Sequence, residues 1–361
     1  MIEPLRILLG NNTLANLAGS ETWTRTLAIQ LKKMGHKVEC FSPELGIISD
    51  QLDKEGIPSF KTITGSGIQP FSFLLEAPHD FTYDVIISNH HHIVDYLRSC
   101  FPKTPIISTI HGIMHTMDDG KGGHIMAPEH PALEAGVNQF VGVSEEVQDM
   151  LKKLYSIYAM VVRNFFDLEK LKVKRRPSPG RPQTFLINTS YADTTDPEIK
   201  LIREIAKDHY KAKLIAIGQN FNLTPDILKP IEEADVVVGM GRSVLEGVAC
   251  GRLGIVHGRW GTGGVIHEGN IDELRACNFS GRNARMKYHT KEQLIAEIDA
   301  HYNPRNLAWG EDYIKQNHNV VFAAESYIQM ARTLLGQDIV RPEEVPLKPY
   351  RRQRDVKHTN S

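Results

Sequence analysis

Two glycine-rich turns in the C-terminal half carry the residues best suited to bond-making chemistry. Gly239-Met240-Gly241-Arg242-Ser243-Val244-Leu245-Glu246 passes from an apolar run into a helical pattern. Gly254-Ile255-Val256-His257-Gly258-Arg259-Trp260-Gly261 ends a second apolar run in another such turn. Amides freed at turns of this kind can hold an anion, and a helix N-terminus adds a partial positive charge. Glu246, about one turn inside its helix, offers a carboxylate that can accept two hydroxyl hydrogen bonds, as from a ribose. Arg242 lies where a guanidinium could clamp a diphosphate bidentately, and Arg259 is a second candidate cation. Glycine at this density disfavours folding, and it is tolerated where a ligand presses on the backbone. The plainer reading of the first run is a capped amphipathic helix with Glu246 on its wet side.

The N-terminal half has its own candidates. In Asn11–Ser20 (NNTLANLAGS) small residues such as Gly19 and Ser20 let backbone amides approach an anion, although the run lacks GxGxxG. Ser20 followed by Glu21 equally suits an ordinary helix start. Histidines recur at His90–His92, His111, His115, His124 and His130. His111 follows an apolar run and precedes Gly112, so it should emerge at a sheet edge, where a neutral imidazole can bond a sugar hydroxyl or a carbonyl. His111 and His115 have the spacing of a zinc pair, but the glutamate of HExxH is absent and Gly112 weakens a helix, so no metal site is expected. His90–His92 read as a polar strand end, with cleft lining the second choice, and Asp118-Asp119 as solvated acids.

Positioning these residues requires alternating strands and helices. Strands are predicted at 5–10, 37–41, 84–88, 105–110, 140–143 and 160–162, with a helix over 21–34. After the Pro/basic segment Lys172–Pro182, read as a linker or exposed loop, strands follow at 184–189, 212–218, 235–240 and 253–257. Helices are predicted at 196–208, 224–234, 242–250, 291–300 and 319–335. Buried β-branched strands alternating with helices argue for an α/β chain with two doubly wound, Rossmann-like domains facing a cleft. Ligands then belong at the carboxyl ends of the strands. The boundaries expected are 1–165 for an acceptor-side domain and 166–317 for a donor domain. A helix in 318–340 should pack back towards the first domain, and 341–361 forms a basic extended tail.

Composition narrows the partners. The 361 residues are 41% hydrophobic and 24% charged, with 42 Lys plus Arg against 43 Asp plus Glu. A net charge of −1 gives no overall field for coating nucleic acid or anionic lipid. Four scattered cysteines without a CxxC pair point to a reducing cytoplasm rather than a disulfide or zinc scaffold. No basic, apolar leader opens the sequence, and no run is long enough to span a bilayer, leaving at most a peripheral membrane contact.

Together these residues resemble a known family. Ala18-Gly19-Ser20-Glu21-Thr22 followed by Gly35-His36-Lys37-Val38 is similar to the GGxE…GHEV opening of family 4 GT-B glycosyltransferases. Thr109-Ile110-His111-Gly112, Val141-Gly142-Val143-Ser144-Glu145 and Val162-Arg163-Asn164-Phe165-Phe166-Asp167 resemble later family blocks. Ala234–Val238 and Leu245–Arg252 match the ADV…LEAMACG block, and the similarity runs in order over roughly residues 5–335.

The resemblance implies a retaining hexosyltransferase that uses a nucleoside-diphosphate sugar, UDP-glucose as first candidate, with no cofactor and no metal. Glu246 would hold the donor ribose, and Gly241, Arg242, Ser243 and Val244 would line the donor site. Amides around Gly19 and Ser20 would face the diphosphate, with Arg259 and Gly261 beside it, and His111 would contact the transferred sugar. Val238 stands where the family has a first glutamate, Asn188–Pro197 lacks its Arg and Lys, and Ala18-Gly19 replaces its GG. Arg242, Arg259 or Arg163 would then supply the missing cations. The acceptor, whether glycan, lipid, protein or modified nucleic acid, is left open. A non-catalytic sugar-nucleotide binder and a sugar-nucleotide epimerase are the alternatives.

Overall fold

Continuous apolar runs become strands covered on both faces. The computed structural model describes residues 3–61, 82–118, 124–128, 136–189, 196–218, 221, 224, 226–284 and 287–337, with backbone alone for 114–118 and 124–128. The first sheet contains β1 (Arg6–Gly10), β2 (Lys37–Phe41), β3 (Ser59–Phe60), β4 (Val85–Asn89) and β5 (Ile106–Ile110). Two further strands complete it beyond a small antiparallel hairpin of β6 (Ile113–Asp118) and β7 (His124–Pro128): β8 (Gln139–Gly142) and β9 (Met160–Val161). All seven pair in parallel in the order β3-β2-β1-β4-β5-β8-β9.

Alternation along β1 shows why its apolar run is unbroken. Ile7 and Leu9 enter a core shared with α1 (Gly19–Lys33) and α2 (Ile47–Lys54). Leu8, pointing the other way, packs with Ile93, Val94 and Leu97 of α3 (His91–Cys100). A strand buried on both faces needs apolar residues at every position. The hairpin fills a stretch for which no strand was predicted, and His90–His92 start α3 rather than end a strand. Residues 63–78, His130, Asp119 and residues 341–361 lie outside the described residues, as do the side chains of His115, Asp118 and His124.

The chain leaves the first sheet after β9 and α4 (Glu145–Tyr155), which precedes it. The second sheet holds β10 (Thr184–Asn188), β11 (Lys213–Ile217), β12 (Val236–Gly239), β13 (Leu253–Gly258) and β14 (Gly261–Val265). Their order is β11-β10-β12-β13-β14, parallel except for the antiparallel edge strand β14. α5 (Pro197–Glu204), α6 (Leu228–Glu233), α7 (Arg242–Ala249), α8 (Ile271–Ala276) and α9 (Lys291–His301) accompany them. α10 (Pro304–Asn317), not read from the sequence, lies on α7; a Cβ on Gly310 would come within 3.0 Å of Val248 Cγ1. α11 (Val320–Leu334) returns to the first half, with Ala324, Tyr327 and Ala331 in the core beneath α1.

The Pro/basic segment is no free linker. Fully buried Asp235 accepts hydrogen bonds from Arg175 Nη2 and the Ser178 amide, both at 2.8 Å, and from the Gln183 amide at 2.7 Å. Charge-assisted bonds of this kind fasten the segment to the base of the second sheet. The crossing between halves falls at 162–166 instead, where Phe166 already belongs to a core with Val244, Leu245 and Ile314.

Candidate active site

The carboxyl ends of β10, β12 and β13 meet around a small pocket of about 20 Å3. Thr189, Gly239, Met240, His257, Gly258 and Arg259 line it, and Glu198 and Ile199 of α5 close one side. Its backbone is held close: a Cβ on Gly239 would sit 2.6 Å from the Asn188 carbonyl oxygen. His257 is 4% exposed and spans the wall. Its Nε2 lies 3.1 Å from the Glu198 carbonyl and its Nδ1 2.7 Å from Thr262 Oγ1. The carbonyl requires Nε2 to donate, so Nδ1 accepts from the Thr262 hydroxyl. Burial pushes its pKa from 6.5 down to about 4, which keeps the ring neutral at pH 7. The Arg259 guanidinium lies 4.7 Å from the centre of the Trp260 ring.

The first turns of α7 face the first half. Gly241, at φ +54°, precedes the helix and donates its amide to the Phe279 carbonyl at 2.8 Å. Ser243 holds β10 through its carbonyl, which accepts from Asn188 Nδ2 at 3.3 Å, while Val244 is fully buried. Glu246 lies 3.6 Å from Arg242 Nη2, and its charge is felt by Arg25 of α1. The carboxylate lies beside Arg242 on α7, with its pKa raised by burial against the pull of Arg242 and Arg25.

Arg242 behaves differently from a free clamp. Its Nη1 donates to the Phe165 carbonyl at 2.6 Å, and its guanidinium lies 4.6 Å over the Phe166 ring. It thus ties α7 to the crossing segment. Arg163 is likewise engaged, paired with Glu145. Of the three cations considered from the sequence, Arg259 is the one that lines the pocket.

In the first half, α1 begins at Gly19, and nothing lies within 4 Å of the place a Cβ would take there. Ser20 Oγ donates to Glu21 Oε2 at 2.9 Å and lies 3.4 Å from His90 Nε2. His111 follows β5 as expected, with its ring edge-on to Trp23 at 5.2 Å and its centre 6.4 Å from that of His90. Gly261 opens β14 across the β13 turn, at φ +123°. The structure thus gathers His111, Ser20 and Gly19 at the carboxyl edge of the first sheet. Arg259, Gly239 and Met240 meet at that of the second, while Arg242 holds the crossing segment with Glu246 beside it.

Sequence reasoning missed Trp23, Arg25, Glu198 and Glu146. Trp23 is buried and packs against Phe165 of the crossing segment at 5.3 Å and against Tyr327 at 5.7 Å. Glu146 of α4 accepts from Arg282 Nε and Nη2 across the halves at 2.9 and 2.7 Å. A tryptophan two residues before an arginine on one helix was the readable signal for the first pair. Nothing local marks Glu146, since its partner lies 136 residues away.

Comparison with known proteins agrees with this architecture. The family model described as Glycosyltransferase Family 4 matches residues 17–170. A glycosyltransferase from Rickettsia africae ESF-5 superposes with a TM-score of 0.60 at 13% identity, covering 92% of this chain and 100% of that one. Anabaena Alr3699/HepE in complex with UDP and glucose gives 0.58 at 13% identity, with 92% and 100% covered. Sucrose-phosphate synthase (tll1590) from Thermosynechococcus elongatus gives 0.56 at 11% identity, with 92% and 99% covered. No curated protein matches the chain by sequence. The chain has the GT-B fold of the glycosyltransferases, and its first half carries the family 4 pattern.

Proposed function

We propose that the protein is a retaining glycosyltransferase that moves a hexose from a nucleoside-diphosphate sugar, UDP-glucose as first candidate, to an acceptor hydroxyl. What supports this reading is the GT-B fold with the family 4 match over residues 17–170, together with a buried Glu246 carboxylate 3.6 Å from Arg242 on the helix that follows the β12 glycine turn. Glu246 would accept from the ribose hydroxyls. The Gly19 amide and the Arg259 side chain would meet the diphosphate, while Gly241, Gly261 and Ser243 shape the donor wall with Val244 packed beneath them. Ser20 and His111 would face the sugar being transferred. As the bond from the anomeric carbon to the phosphate oxygen breaks, negative charge grows on the diphosphate, and preorganised donors stabilise it. The acceptor oxygen bonds the anomeric carbon on the same face, and its proton passes to the departing phosphate oxygen. No protein-held metal enters this scheme. Arg242 would position Glu246 and the crossing segment rather than touch the phosphates. Its engagement also favours a second reading, a sugar-nucleotide binder without turnover.

A thermal-shift screen with UDP, GDP and ADP tests the donor site, because a ligand of the native state raises apparent stability. Glu246→Gln should weaken binding of the best nucleotide by roughly tenfold, a charged hydrogen bond's worth. Unchanged affinity in that variant removes the ribose role. Donor consumption, followed by NMR with the configuration of the product, separates transfer from binding alone.

A further inference from the structure

The donor reading leaves a second concavity unused. An open groove of about 660 Å3 runs along the outer edge of the second sheet, between β14, α8 and the start of α9. That falls within the roughly 300–1,000 Å3 of a ligand site, room enough for a few sugar units of a longer chain. Its walls mix acceptors and donors: the carboxylates of Glu273 and Glu297, the amides of Asn270 and Asn283, and the exposed ring of Tyr288. Two of these side chains are fixed in advance. Glu297 Oε2 accepts the Val265 amide at 2.9 Å, and Asn270 donates to the Val265 carbonyl at 2.8 Å while accepting from the His267 amide at 3.1 Å. Groups held in place lose little freedom when a ligand arrives.

The lining selects a ligand class. Two carboxylates, Glu297 with His289 Nδ1 at 3.3 Å, face Lys287 as the one lysine or arginine of the lining and disfavour a phosphate or an acidic polymer, and so polar a wall disfavours an acyl chain. A neutral molecule with many hydroxyls satisfies both carboxylates and amides, since each hydroxyl donates and accepts. Tyr288, 44% exposed, offers a flat apolar face for the C–H side of a sugar ring. The groove also touches the donor pocket. The Tyr288 hydroxyl donates to the Arg259 carbonyl at 3.0 Å, and its ring meets His257 edge-on at 6.0 Å. Thr262, which lines the groove, is the hydroxyl bonded to His257.

We infer that this groove binds a neutral oligosaccharide, and that its occupancy is transmitted to the donor pocket through Tyr288 and the Thr262–His257 pair. Only the transmission rests on the donor reading; the groove does not. The test uses the full chain and three probes, maltopentaose, cellopentaose and mannopentaose, followed by saturation-transfer NMR and calorimetry with and without UDP. At least one should bind, and Tyr288→Ala and Glu297→Gln should each weaken it by roughly fivefold. With that probe present, UDP affinity should change about twofold or more in the wild type. In Tyr288→Phe, which keeps the ring and loses the link to Arg259, probe binding should persist while the effect on UDP shrinks. Binding of UDP with no response to any probe overturns the inference and leaves the donor site intact. Probe binding that neither groove variant weakens places the saccharide elsewhere and overturns it as well. Probe binding lost in Tyr288→Ala, in a protein that binds no nucleotide, supports the groove and removes the donor reading instead.

Discussion

Replacing Arg242 by alanine removes three interactions at one point. The bond to the Phe165 carbonyl, 2.6 Å long and carrying a full charge on its donor, is worth about 1.5–3 kcal/mol. Stacking over Phe166 adds about 0.5–2 kcal/mol. The pairing with Glu246 is looser at 3.6 Å, but its loss leaves a carboxylate only 18% exposed with Arg25 as its remaining nearby cation. Such contributions do not add fully, and the expected loss is about 4 kcal/mol, within the range for breaking a buried charged pair. In urea this should lower the midpoint of the affected transition by roughly 1–2 M. Glu246→Gln alone should cost far less, and the double variant should fall short of the sum by about 1–3 kcal/mol. Circular dichroism in urea measures all four proteins. A loss below about 1 kcal/mol for Arg242→Ala, or a strictly additive cycle, would refute the role of this arginine as the tie between the halves.

Acid should destabilise the fold through two buried imidazoles. His257 and His318 have pKa values pushed by burial from 6.5 to about 4, so the unfolded chain takes up protons that the folded one refuses. Their contribution is complete above pH 6.5 and is lost as pH falls towards 4; at pH 5 each forfeits about 2 kcal/mol. Urea titrations at pH 7.5 and pH 5 should show this, and His257→Gln should flatten the difference by about half; an unaltered slope in that variant contradicts the assignment. Gly247→Ala should destabilise by about 1–3 kcal/mol, because the new methyl would lie 2.5 Å from Val237 Cγ2 and lift α7 off β12. A thermal melt matching that of wild type would show that α7 has room to shift.

Periodicity made most of the architecture legible. Apart from the edge strands β3 and β14, which were not read, the strands of both sheets lie within a residue or two of where their apolar runs place them, because a strand sealed on both faces cannot hide its composition. α2, α3 and α8 escaped notice, since helices of eight, ten and six residues show little period; α4 was not read either, and α10 was broken to the eye by Gly310. The hairpin of β6 and β7 lies where glycines and histidines read as loop. At the site, the glycine turns and Glu246 were visible because their chemistry is local. The partners of Arg242 were not, for Phe165 stands 77 positions earlier and its backbone carbonyl has no letter in the sequence. Glu198 was hidden for the same reason, contributing a main-chain oxygen to His257.

The chain passes between the halves twice, and the two passages lie side by side. Phe166 pairs with Asn319 as a parallel bridge, its amide donating to the His318 carbonyl at 2.8 Å and its carbonyl accepting from the Val320 amide at 3.1 Å. A two-ply ribbon of this sort can twist but resists sliding, so any opening of the crevice is steered into rotation about one axis. It also governs how the protein can be dissected. A fragment ending near residue 165 would leave Trp23 and Thr109 bare where Tyr327 should cover them, so an autonomous N-terminal piece needs α11 grafted back onto it.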